Sequence, residues 1–106
     1  MRDIVKIIED FINYLDGIRN AIESQKQNEL KSLNKDINFL KKILSSATSG
    51  DDYSINECWR ELQDFTQKMG GIYMPKNNYH IFQDHCNELY EAYFNLVVNI
   101  RNKKSI

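Results

Sequence analysis

The stretch YHIFQDHCNELYEAYFNLVVNI, Tyr79 to Ile100, decides how the chain folds. Phe82, Cys86, Leu89, Tyr93, Leu96 and Ile100 recur at alternating steps of four and three. That spacing sets all six on one stripe of an α-helix, since a strand would need strict alternation. A second stripe, Tyr90, Phe94 and Val98, follows at i, i+4, i+8 and reaches about 180° from Leu89. A helix at the edge of a bundle needs no apolar arc that wide. Two explanations stay open: this helix is the central, most buried one, or its second stripe meets another chain.

The same periodicity runs outward to the N-terminus. Ile4, Ile8, Phe11, Leu15, Ile18 and Ile22 form one stripe, with Asp3 placed to cap it, and Leu30, Leu33, Ile37, Leu40 and Leu44 form another. The eight residues from Ile22 to Leu30 carry an ideal helix about 80° past register. The spacing therefore predicts a break within ESQKQNE, with a single long kinked helix as the alternative. SSATSGDDYS reads as a loop, and Ser54 with Glu57 as a capping box opening the next helix. That helix carries Ile55, Cys58, Trp59, Leu62, Phe65 and Met69, and Gly70 is suited to end it. The expectation is an all-α, antiparallel four-helix bundle in a single domain, with helices at roughly 3–24, 28–46, 55–69 and 79–102.

Composition sets the bounds on this picture. A chain of 106 residues holds one domain, and 42% apolar with 27% charged residues is ordinary for a globular protein. A net charge of −1 speaks against direct nucleic-acid binding, which needs clustered Lys and Arg. Acids interrupt the apolar residues of MRDIVKIIEDFINYLDG, so neither a signal peptide nor a membrane span is expected, and the cytoplasm is the default compartment. Cys58 and Cys86 fit no metal-type or disulfide spacing and read as buried free thiols.

Chemistry-bearing patterns are sparse. His80 and His85 are five apart and do not share a helix face, and the residues three before them are Asn77 and Phe82 rather than Glu. That excludes the Glu-x-x-His pattern of bundle di-metal sites. No metal or cofactor is expected. The all-α ribonucleases of the HEPN type carry Arg-Asn followed by His, whereas Arg19-Asn20 and Arg101-Asn102 have no such histidine. The chain is accordingly not expected to be an enzyme.

The surface pattern is richer. Glu57, Glu61 and Asp64 form an acidic row at i, i+4, i+7, introduced by Asp51 and Asp52, and Asp84, Glu88 and Glu91 repeat it on the last helix. Measured from Leu62 and Leu89, both rows lie about 100–160° away in the same rotational sense. On antiparallel neighbours they either converge on one face or flank it from opposite sides. Either row alone suits a solvated helix surface; together they also suit a basic partner. Tyr73, Tyr79, Tyr90 and Phe94 add aromatic contact candidates, because tyrosine buries area with only two torsions to freeze.

MGGIYMPKNNYHIF followed by LYEAYFNLV, a loop and then an aromatic final helix, resembles the small all-α immunity proteins of bacterial toxin–immunity systems, particularly those of contact-dependent growth inhibition. The near-balanced charge departs from the acidic colicin-type immunity proteins. The resemblance implies a non-enzymatic inhibitor that binds a cognate toxin domain, often a nuclease. In that reading Glu57, Glu61, Asp64, Asp84, Glu88 and Glu91 supply charge, and Tyr73, Tyr79, Tyr90 and Phe94 supply anchors. The alternative is a structural or adaptor module that self-associates, as a homodimer for example, or engages another protein.

Overall fold

In a computed structural model of the chain, residues 3–22, 26–67 and 79–104 are described. They form four helices: α1 (Ile4–Ala21), α2 (Gln27–Ser49), α3 (Asp52–Gln67) and α4 (Tyr79–Lys104). Contacts run α1 to α2, α2 to α3, α3 to α4 and α4 back to α1, so the helices occupy the corners of a square. A cross-section of 22 × 21 Å fits two helix diameters each way. Antiparallel order is visible in the side-chain register. Phe39 meets Phe65 while Lys42 meets Glu61, and Phe65 meets Phe82 while Trp59 meets Tyr93.

The α1 stripe ends where expected physics ends it. Asp3 accepts a hydrogen bond from the Val5 amide at 3.1 Å, and Ile22 turns to extended backbone at ψ 131°. The chain thus breaks between α1 and α2, so the single kinked helix is excluded. Residues 23 and 24, assigned to the first helix by periodicity, lie beyond this cap and outside the described residues.

The second connection departs from expectation. SSATSGDDYS is not a ten-residue loop, because α2 continues to Ser49. Thr48 Oγ1 donates to the Leu44 carbonyl at 2.9 Å and Ser49 Oγ to the Ser46 carbonyl at 3.0 Å, so these hydroxyls are satisfied without leaving the helix. Gly50 at φ 69° then stops α2 in the left-handed conformation. Asp51, not Ser54, caps α3: its carboxylate accepts from the Ser54 amide at 3.2 Å and from Ser54 Oγ at 2.6 Å. The expected Ser54–Glu57 capping box is therefore replaced by an Asp51–Ser54 pair three residues earlier. Starting one turn sooner gains the helical bond from the Ile55 amide to the Asp51 carbonyl, 2.9 Å. Gly70 and Met69 lie outside the described residues.

Core residues follow the stripes with small rotations. Ile8, Phe11, Leu15, Leu33, Ile37, Leu40, Leu62, Phe82, Cys86, Leu89 and Tyr93 are fully buried. Ile4, Ile18, Ile22, Leu44 and Leu96 are only partly buried, while Ile7, Ile12, Ile43, Ala92 and Val97 join the core instead. The apolar stripe on each helix is wider than one residue per step, which is what two neighbours per helix require. One polar pair crosses the core diagonally. Ser46 of α2 and Tyr93 of α4 share a 2.6 Å hydrogen bond between buried hydroxyls. No described helix is long and apolar enough to cross a membrane.

Candidate partner-binding surface

Among the described residues, Tyr53, Tyr90 and Phe94 are the exposed large apolar side chains, and the last two lie at the α3–α4 seam. Measured from Leu62, Trp59 turns about 60° towards α4; measured from Leu89, Tyr90 and Phe94 turn about 100° and 140° towards α3. The three rings meet there. Trp59 lies 4.8 Å from Tyr90, 5.6 Å from Phe94 and 6.4 Å from Tyr93, the last with planes only 3° apart. Trp59 is 8% exposed beneath a partial roof, whereas Tyr90 is 36% and Phe94 43% exposed. Tyr53, one and a half turns before Trp59 on the outer side of α3, is 70% exposed. The second stripe of α4 is thus not explained by a central position for that helix. Like the other three, α4 packs mainly against two neighbours, and its stripe rests on α3 with its outer edges open.

The acidic rows do not converge. Lys42 of α2 donates to both Glu61 carboxylate oxygens at 3.0 Å, and Lys35, Asp36 and Phe39 of α2 line a cleft with Glu61, Asp64 and Phe65. The α3 row therefore borders α2. On α4, Asp84 and Glu88 line a cleft with Ile81 and His85, and the His85 ring stacks on Phe11 and Tyr14 of α1 at 5.1 and 4.8 Å. The α4 row therefore borders α1. Of the two arrangements open from sequence, the rows flank the α3–α4 face from opposite sides. Glu57, Asp64, Asp84 and Glu91 are exposed along its borders, while Glu61 and Glu88 turn further towards α2 and α1.

On the α3 border, Lys42 offsets part of the acidic charge. The carboxylate of Glu61 raises the Lys42 ammonium above its ordinary pKa through their hydrogen bond. A row with few intervening cations along its helix thus meets one across the fold. Tyr73 lies outside the described residues. Tyr79 opens α4, and its side chain lies outside what is described.

Trp59 and Tyr53 were not among the contact candidates read from sequence. Trp59 sits on the core stripe, which conceals its place at the seam, but Tyr53 is nine residues before Leu62, which places it 180° from the core centre. That offset was available as a signal.

The nucleophiles are poorly placed for chemistry. Cys58 and Cys86 are buried free thiols. Burial, and after it the charge of Asp36, pushes the Cys86 thiol up to about 12, so it is not a thiolate at neutral pH. Burial likewise raises the Tyr93 phenol, against the opposing effect of its Ser46 hydrogen bond. Among the described residues no group of three or more His, Cys, Asp and Glu could hold a metal ion. No protein-family model, curated protein or solved structure matches the chain.

Proposed function

We propose that this chain works by binding another protein through the outer face of α3 and α4, as an inhibitor of the immunity-protein kind. The observation that supports this reading most is the Trp59–Tyr90–Phe94 seam, where Tyr90 and Phe94 are open to solvent above a buried Trp59 and carboxylates border both sides. Aromatic side chains at the centre of a face, ringed by charge, are the composition of a contact hot spot with a polar rim. The partner is a toxin domain with a basic surface, a nuclease among the candidates. Acidic borders steer such a partner and speed association, while rings that lose water at the seam slow its release. The inhibitor performs no catalysis; it occupies the toxin's substrate site or another essential surface. Its place of action is the cytoplasm of the cell that it protects.

A direct test is native mass spectrometry of the chain co-expressed with the product of the gene immediately upstream. The reading expects a stable one-to-one complex and a neighbour that is toxic when expressed alone. A lone monomer beside a harmless neighbour would overturn it. Changing Asp84, Glu88 and Glu91 to Lys should weaken the complex and flatten its salt dependence while leaving the fold intact.

One observation favours a second reading. The same open seam, continued by Val98 along α4, suits a second copy of the chain as an adaptor or structural dimer. A mass that rises with concentration, and falls back in Phe94→Ser, would move that reading to first place.

A further inference from the structure

Resting on the protein-binding reading above, we propose that the cleft between α2 and α3 receives an arginine side chain of the partner. The cleft is about 270 Å³ and is lined by Lys35, Asp36, Phe39, Glu61, Asp64 and Phe65. Its floor is aromatic: the Phe39 and Phe65 rings lie 4.9 Å apart, tilted by 38°. Phe65 is buried and packs against Phe39, which is partly buried and lines the cleft. Among the described residues, the carboxylates of Asp36, Glu61 and Asp64 stand around that floor, with the ammonium of Lys35 beside them and that of Lys42 on Glu61.

These features select a cation that is flat, weakly hydrated and able to donate in a plane. A guanidinium stacks on a phenyl face and pairs with carboxylates at its edge, whereas an ammonium is a strongly hydrated point charge. Lys42 already shows how a cation engages this rim. Its Nζ reaches both oxygens of Glu61 at 3.0 Å while both side chains remain about half exposed. Such exposed pairs contribute little, so an incoming guanidinium can share Glu61 or displace the lysine. Lys42 is therefore an internal competitor for the site. The α4 row makes the contrast: Asp84 and Glu88 line a cleft of similar size, about 290 Å³, but its floor is Ile81 and the His85 imidazole, itself a potential cation.

The test is a heteronuclear NMR titration of the full chain with N-acetyl-arginine methylamide. Matched citrulline and lysine derivatives serve as neutral and ammonium controls. The proposal expects saturable shifts confined to the amides around Phe39, Glu61 and Asp64. The citrulline compound should give none, and the lysine compound should bind at least about threefold more weakly. Asp64→Asn and Phe39→Leu should each weaken arginine binding by about threefold or more, and Lys42→Met should strengthen it. Both cleft variants should keep the wild-type spectrum elsewhere, which separates loss of the site from loss of the fold. Shifts that fail to saturate, that spread equally to Asp84, Glu88 and Glu91, or that ignore Phe39 would overturn the proposal as ordinary charge screening. A failure here beside a stable toxin complex removes only the arginine cleft, whereas arginine binding without any complex removes the inhibitor reading and keeps the cleft.

Discussion

Two groups of aromatic rings stabilise this bundle, and they are finished in opposite ways. At one level Phe11 of α1 meets Phe65 of α3 at 6.1 Å and Phe82 of α4 at 5.5 Å, with Phe65 and Phe82 themselves 6.1 Å apart. All three are buried, and they draw on three helices. About two turns away, Trp59, Tyr90, Tyr93 and Phe94 draw on only two helices, and two of the four rings stay open to water. The first cluster closes a core. The second begins as core at Tyr93, passes through Trp59 and ends as surface at Phe94. A fold that needed rings only for stability has no reason to place the last two there, since polar residues would cover Trp59 with their stems. Under the protein-binding proposal, the closed cluster serves folding and the open one serves contact.

Substitutions at the two levels should separate these roles. The largest effect is expected for Phe65→Ala, which removes a ring from the middle of the closed cluster and should cost about 3–5 kcal/mol by chemical denaturation. A loss below about 1 kcal/mol would mean the closed cluster is not what holds the helices together. Next comes Tyr93→Phe, where the two levels join. It strips Ser46 of its buried partner and should cost about 1–3 kcal/mol, and adding Ser46→Ala should recover part of that loss. A loss in the double variant equal to the sum of the two single losses would show that the hydroxyl pair does not act as a unit.

The buried side also titrates. Cys86 is held near 12 in the folded protein, while its ordinary value is 9.0. Between those values the unfolded chain releases a proton that the folded chain retains. The stability is thus complete below pH 9 and declines as pH rises towards 12, by about 1.4 kcal/mol per pH unit at most. Denaturation midpoints at pH 8 and 10.5 should differ in the parent and differ less in Cys86→Val. The smallest effect on stability belongs to the open cluster. Tyr90→Ser and Phe94→Ser should each change it by no more than about 0.5 kcal/mol, yet weaken the complex about tenfold or more. A large destabilisation with unchanged binding would reverse the roles assigned to the two clusters.

Much of the fold was legible because a helix repeats its environment every 3.6 residues, so a stripe of side chains reports burial directly. Phe82, Cys86, Leu89 and Tyr93 are core for that reason, and the phase slip between Ile22 and Leu30 marks a true break. What periodicity does not carry is the identity of a neighbour. The Glu57–Asp64 row has few cations along its own helix, but Lys42 reaches Glu61 from α2, nineteen positions away. Local signals also compete. Ser54 with Glu57 and Asp51 with Ser54 are both sound caps, and the earlier one prevails because Gly50 ends α2 immediately before it. For the contact face, Tyr90 and Phe94 were visible from their stripe, while Trp59 counted only as core until Tyr90 and Phe94 were seen above it.

The central claim is that the face of α3 and α4 is where another protein docks. Hydrogen–deuterium exchange on the chain, alone and in the complex purified with its upstream neighbour, tests this most directly. The account predicts slowed exchange concentrated in residues 52–60 and 90–98, centred on the Trp59–Tyr90–Phe94 seam. Protection concentrated instead on α1 and its border with α4, with the seam unchanged, would contradict it.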